Sequence, residues 1–166
     1  IWDEATGVCE RTFADHENYF TSTAYNHDGT KIASSNDAGI INVWDTTTGL
    51  CELTITNERC LTESLDFNHN GTKIAAGNSD SSIKIWDVET GTCEKTLEGH
   101  TERVTSVAFN YDGSKIISGS TDKTLKIWDL STDSYVQPIL GHIGSITTAV
   151  FSGDGDLGSI GGNHII

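Results

Sequence analysis

Six histidines and four cysteines give this chain of 166 residues the side chains for three kinds of chemistry. His100, Ser118 and Asp122 are the components of a Ser-His-Asp relay, in which a base activates a hydroxyl nucleophile. His27 and His69 could ligate a metal ion through neutral imidazole nitrogens. Cys9, Cys51, Cys60 and Cys93 could pair as disulfides, or as thiolates hold zinc. Each reading depends on where the chain places these residues, and a single periodicity governs that placement.

The four tryptophans, Trp2, Trp44, Trp86 and Trp128, are each followed by aspartate and stand 42 residues apart. A fixed spacing of this size marks one supersecondary unit copied in tandem. Other columns share the register. Asp28-Gly29, Asn70-Gly71, Asp112-Gly113 and Asp154-Gly155 predict two-residue hairpin turns that need positive φ. Thr6-Gly7, Thr48-Gly49 and Thr90-Gly91, with Thr132-Asp133 as a weakened fourth, mark a second turn four residues after each tryptophan. A third column holds His16, Glu58, His100 and His142, preceded by glycine only at Gly99 and Gly141. The runs between them, such as 103–109, 115–118 and 124–128, are short and alternating or β-branched. Each copy therefore reads as four short strands without a helix.

Gly99-His100, Asp112-Gly113-Ser114-Lys115, Ser118-Gly119-Ser120-Thr121-Asp122 and Ile127-Trp128-Asp129 together resemble a repeat of the WD-repeat β-propeller family. The resemblance extends over essentially all 166 residues. It implies an all-β propeller of four-stranded antiparallel blades, each repeat supplying the outer strand of one blade and the three inner strands of the next. About four repeats are present, giving full blades over roughly 14–56, 57–98 and 99–140 and partial blades over 1–13 and 141–166. The expected architecture is a partial or open propeller, a piece of a seven- or eight-bladed parent. Two chains assembling into one ring, and closure of four blades on themselves, are the successive alternatives. The start inside a strand without Met agrees with a piece of a longer chain.

The register reassigns the candidate chemistry. By the resemblance, His100, Ser118, Asp122 and Trp128 form a buried structural hydrogen-bond network, and a buried serine is no nucleophile. Cys9, Cys51 and Cys93 repeat at 42 residues, so equivalent atoms on successive outer strands diverge beyond the reach of a disulfide. Cys60 stands alone near an inner strand, and no Cys-x-x-Cys spacing exists. Reduced cysteines point to a cytoplasmic, intracellular protein. His27 and His69 fall on hairpin turns, where solvent exposure is expected. The Asn70-Gly71-Thr72 sequon lies on the same turn and reads as coincidental in that compartment.

The copies are unequal. The first has Ala38 in the aspartate column with Asp37 displaced by one, and the second has Glu58 for histidine and Ala76 for serine. The repeat carrying Trp86 is accordingly expected to be less protected from hydrogen exchange than the one carrying Trp128.

A net charge of −14, with 10 basic residues scattered among 24 acidic ones, argues against nucleic acid as a partner. No apolar run approaches the ~18 residues of a membrane span. No phosphate loop, metal motif, cofactor motif or activated nucleophile is present, so the chain reads as non-catalytic. Other proteins are the expected partners, including ones with basic segments, together with self-association through open propeller edges. In the family resembled, partners bind on the narrow face, through residues three and five after the histidine column and the residue before the tight-turn aspartate. Those positions are Tyr19, Thr21 and Asp37, then Leu61, Glu63 and Ser79, then Arg103, Thr105 and Thr121, then Ser145, Thr147 and Asn163. Tyr19, Leu61 and Arg103 are the best anchors, being of the residue types that concentrate binding energy or apolar contact. The expected function is a protein-interaction scaffold or adaptor. Alternatives are the sensor array of a larger NACHT-type NTPase and, further off, a propeller enzyme.

Overall fold

The computed structural model describes residues 1–13, 19–57, 60–132, 134–139, 142–151, 157–161 and 164–165. His16, Glu58, Gly141, Asp154-Gly155 and Asn163 lie outside them. Three four-stranded antiparallel sheets follow one another along the chain. The first is β1 (Phe20–Tyr25), β2 (Lys31–Asn36), β3 (Ile40–Asp45) and β4 (Cys51–Thr56). The second is β5 (Thr62–Phe67), β6 (Lys73–Asn78), β7 (Ile83–Asp87) and β8 (Cys93–Leu97). The third is β9 (Val104–Phe109), β10 (Lys115–Ser120), β11 (Leu125–Asp129) and β12 (Ser134–Ile139). A three-stranded sheet, β13 (Ile146–Phe151), β14 (Leu157–Gly161) and β15 (His164–Ile165), ends the array. The fold is that of a partial all-β propeller.

Strand alternation sends successive side chains to opposite faces, and the faces that adjacent sheets turn toward each other are buried together. Ala33, Ile41, Val43 and Ile55 of the first sheet meet Leu65, Phe67, Ile74, Ala76 and Trp86 of the second. From the other face of the second, Ala75, Ile83, Ile85 and Leu97 meet Val104, Val107, Phe109, Ile116 and Trp128. Ile117 and Leu125 then pack on Ile146 and Ala149. The contact is close where glycine stands in the second strand. A Cβ on Gly119 would lie 2.5 Å from the Ile146 side chain, and one on Gly77 would lie 2.9 Å from that of Val104.

The innermost strands carry a ladder of serine hydroxyls between sheets. Ser22 Oγ accepts the Leu65 amide at 3.1 Å, Ser64 that of Val107 at 3.2 Å, and Ser106 that of Ala149 at 3.0 Å. Each bond satisfies a backbone donor that the sheet's own ladder leaves over. The serines recur at the repeat spacing, so the register contained this signal although it was not read from the sequence.

The hairpins between inner strands differ from the two-residue turns expected. Strand pairing stops at Tyr25 and resumes at Lys31, with a Gly29 amide to Asn26 carbonyl bond of 3.1 Å and φ of +73° at Gly29. The loop is longer because side chains cap it. Asp28 Oδ1 accepts the Thr30 amide and hydroxyl, and Asn26 Oδ1 accepts the Lys31 amide. Asn68 and Asn70, then Asn110 and Asp112, repeat the pattern. The aspartate of each Trp-Asp pair does similar work at the outer turn: Asp45 and Asp87 accept the amide and hydroxyl of Thr48 and Thr90.

Candidate partner-binding face

At the leading ends of the inner strands, one backbone hydrogen bond recurs in three sheets. The amides of Asp37, Ser79 and Thr121 donate to the carbonyls of Tyr19, Leu61 and Arg103 at 3.0, 2.9 and 3.1 Å. This bond sets the residue preceding each inner strand beside the tight turn between the second and third strands. The side chains it presents are dissimilar. Tyr19 is 85% exposed, Asp37 and Arg103 are exposed, and Leu61 is half-buried. Arg103 Nη1 reaches across to Glu63 Oε1 of the preceding sheet at 3.1 Å. Ser145 and Thr147 are exposed at the start of the fourth sheet.

Other positions in this set are engaged within the scaffold. Thr21 Oγ1 lies 2.8 Å from Ser35 Oγ. The Thr105 hydroxyl is placed toward the carbonyls of Gly119 and Ile146, tying the third sheet to the fourth. Ser79 Oγ accepts the Leu61 amide at 3.2 Å, and the Thr121 hydroxyl donates to the Arg103 carbonyl at 3.5 Å. The outward-reaching groups are therefore Tyr19, Asp37, Leu61 and the Arg103–Glu63 pair.

Beneath this face lies the polar network of the third sheet. Trp128 Nε1 donates to Ser118 Oγ at 2.8 Å, and Ser118 Oγ lies 2.7 Å from His100 Nε2. His100 Nδ1 lies 2.8 Å from Asp122 Oδ2. The only assignment that uses every proton has Ser118 donating to Nε2 and Nδ1–H donating to the carboxylate. Asp122 also accepts the amides of Thr101 and Thr124 and the Thr124 hydroxyl. Burial lowers the His100 pKa and keeps the ring neutral against the opposing pull of Asp122. Burial alone would raise the Asp122 carboxyl, but hydrogen bonds led by those of Thr124 and His100 outweigh it and bring it down to about 2. Ser118 is fully buried and bonded on both sides, so its hydroxyl cannot meet a substrate.

The other sheets solve the same problem differently. In the first, Trp44 Nε1 donates to Ser34 Oγ at 2.8 Å, and Asn36 Oδ1 caps the tight turn by accepting the amides of Ala38 and Ile40. In the second, the Cys60 thiol donates to Asp80 Oδ2 at 2.7 Å, the contact His100 makes in the third. Burial and then Asp80 push the Cys60 pKa up to about 11, so it remains a thiol. Around it Asn57, Thr62, Asn78, Ser82 and Lys84 form a connected, largely buried cluster. Cys60 carries no repeat signal, because the equivalent positions of the other copies hold Asn18, Glu102 and Gly144.

Ala76 cannot take the part of Ser34 or Ser118, and Trp86 Nε1 is the buried side-chain nitrogen without a partner among the described residues. Ala76→Ser supplies the missing acceptor. The expected gain is about 1 kcal/mol, the lower part of the cost of an unsatisfied buried donor. Urea unfolding should show it, together with slower amide exchange in β6 and β7. A loss of stability would mean that the site has no room for the hydroxyl.

All four cysteines are free thiols. Among the described residues, no group of three His, Cys, Asp or Glu side chains could hold a metal ion. Among the same residues, no helix is long and apolar enough to cross a membrane. His27 is exposed as expected and His69 is half-buried; their rings lie 4.0 Å apart, and His69 lies 4.2 Å from Tyr111.

The family model "WD domain, G-beta repeat" matches residues 7–45, 54–87 and 91–129. No curated protein matches the chain. Among solved structures, that of U3-55K is similar at 21% identity and a TM-score of 0.84, covering 92% of this chain and 48% of that one. The RRP9 WD40 repeats are similar at 21% identity and a TM-score of 0.83, with the same coverages of 92% and 48%. The chain thus spans about half the length of the solved structures it matches, and the likeness at this identity is one of fold.

Proposed function

The chain belongs to the WD-repeat family, and from that premise we propose that it is a non-catalytic interaction scaffold. It binds peptides or loops of partner proteins on the face formed by Tyr19, Asp37, Leu61, Glu63 and Arg103. The observation that carries this reading is the recurrent backbone bond that sets unlike, outward-reaching side chains side by side on a near-symmetric frame. Function cannot be taken from the fold, but such a surface is what selective recognition requires. Tyr19 and Arg103 are the residue types that dominate interface energetics. The net charge of −14 favours partners with basic segments over nucleic acid. Free thiols support a cytoplasmic setting. The cavity of about 450 Å³ lined by Trp2, Phe13, Phe20, Tyr25 and Trp44 supports association through the face of the first sheet turned away from the second.

Affinity capture from lysate tests the face. Tyr19→Ala and Arg103→Ala, each confirmed as folded, should lose partners that the unaltered protein captures, with losses of about tenfold from a hot-spot side chain. Identical captures by all three proteins would refute the assignment.

A further inference from the structure

The opposite ends of the inner strands carry a second arrangement. The hairpins β1–β2, β5–β6 and β9–β10 bring His27, His69 and Tyr111 into a row of neighbouring rings, tilted by 46° and 40° to one another. Beside it Tyr25, Asp66, Phe67, His69, Phe109 and Tyr111 line a cavity of about 240 Å³. One anion faces this aromatic enclosure. Asp66 stands on β5 at the position that Ala24 and Ala108 occupy on β1 and β9. Its Oδ2 accepts the Phe109 amide at 2.7 Å.

That bond alone does not account for the carboxylate. The other inner strands pack on their neighbours with alanine there, and the Ser22, Ser64 and Ser106 hydroxyls already join the sheets. Burial disfavours the ionised form of Asp66, raising its pKa to about 6 despite the hydrogen bonds from the Phe109 and Phe67 amides. A charge retained at such a cost, with no cation paired to it among the described residues, suits a cationic ligand brought from outside. Tyr faces attract cations as well, and the cavity has the size of one side chain.

We propose that this cavity binds the side chain of a single lysine on a basic segment of a partner protein, its ammonium on Asp66 and its methylenes against Tyr25 and Tyr111. The site lies at the far ends of the inner strands from Tyr19 and Arg103. It stands or falls independently of the face proposed above.

Titration of the whole chain with acetyl-Gly-Lys-Gly-amide, followed by NMR shifts of the aromatic side chains, tests the proposal. Saturable shifts confined to Tyr25, His69 and Tyr111 are expected. The norleucine analogue, which lacks the charge, should bind at least tenfold more weakly, as should Asp66→Asn titrated with the lysine peptide. Tyr111→Ala should weaken binding about threefold, and because Tyr111 is 74% exposed this variant leaves the fold intact. Equal binding of the norleucine peptide, or unchanged affinity in both variants, would overturn the proposal. So would n-butylammonium binding more tightly than the peptide, since the site would then serve a free amine.

Discussion

Ser118→Ala should destabilise the protein by about 2–6 kcal/mol, the sum of two buried groups left without partners at roughly 1–3 kcal/mol each. Removing the hydroxyl takes the acceptor from Trp128 Nε1 and the donor from His100 Nε2. Neither can turn to solvent, because Trp128 is 1% exposed and His100 6%. Ser34→Ala provides the comparison, since in the first sheet the same change removes the acceptor of Trp44. Urea unfolding should show a loss of stability in both variants, at Ser118 of the size stated. A loss below about 1 kcal/mol at Ser118, the worth of one ordinary hydrogen bond, would show that the chain from Trp128 to Asp122 does not act as a unit.

The same network gives an acid sensitivity whose sign follows from the two shifts. The folded His100 pKa lies below its ordinary value of 6.5, so on acidification the unfolded chain takes up a proton first and stability falls. Asp122 adds a second loss as the pH drops from its ordinary 3.8 toward about 2.

The repeat register made the sheets legible, since a column repeated every 42 residues reports a position in a blade without any knowledge of its neighbours, and the His100 network followed from the family resemblance that the register carries. Departures from the register were visible as well, but their consequences were not. Ala76 in a serine column announces a lost acceptor, yet only packing shows that nothing else among the described residues reaches Trp86 Nε1. Cys60 looked isolated because its partner Asp80 approaches through the folded loop. The candidate face was legible as a set of positions and not as a set of free side chains. Thr105 and Ser79 have the same residue types as an adaptable contact surface, and their hydroxyls are spent on carbonyls and an amide that no spacing rule locates. Asp66 hid in the same way: it interrupts an alanine column, and its partner is a backbone amide 43 residues on, in another sheet.

Asp66→Asn should therefore stabilise the protein near neutral pH, by about 3 kcal/mol, from roughly two pKa units at 1.36 kcal/mol each. The folded carboxyl titrates at about 6 and the unfolded one at 3.8. Because the folded pKa is raised, Asp66 weakens the fold least below pH 3.8. The penalty grows as the pH rises through the folded value and is constant above it. Asparagine keeps an oxygen for the Phe109 amide and carries no charge at any pH. Urea unfolding at pH 7.5 should show the full gain over the unaltered protein, and at pH 4 a gain under about 1 kcal/mol. The general effect of a net charge near −14 cancels almost entirely in this comparison, since the two proteins differ by one charge among many. A variant less stable than the parent by the same amount at both pH values would mean that Asp66 acts only as a hydrogen-bond acceptor between sheets. A gain confined to neutral pH, coupled to loss of lysine binding, would identify Asp66 as a residue kept for its ligand at the expense of the fold.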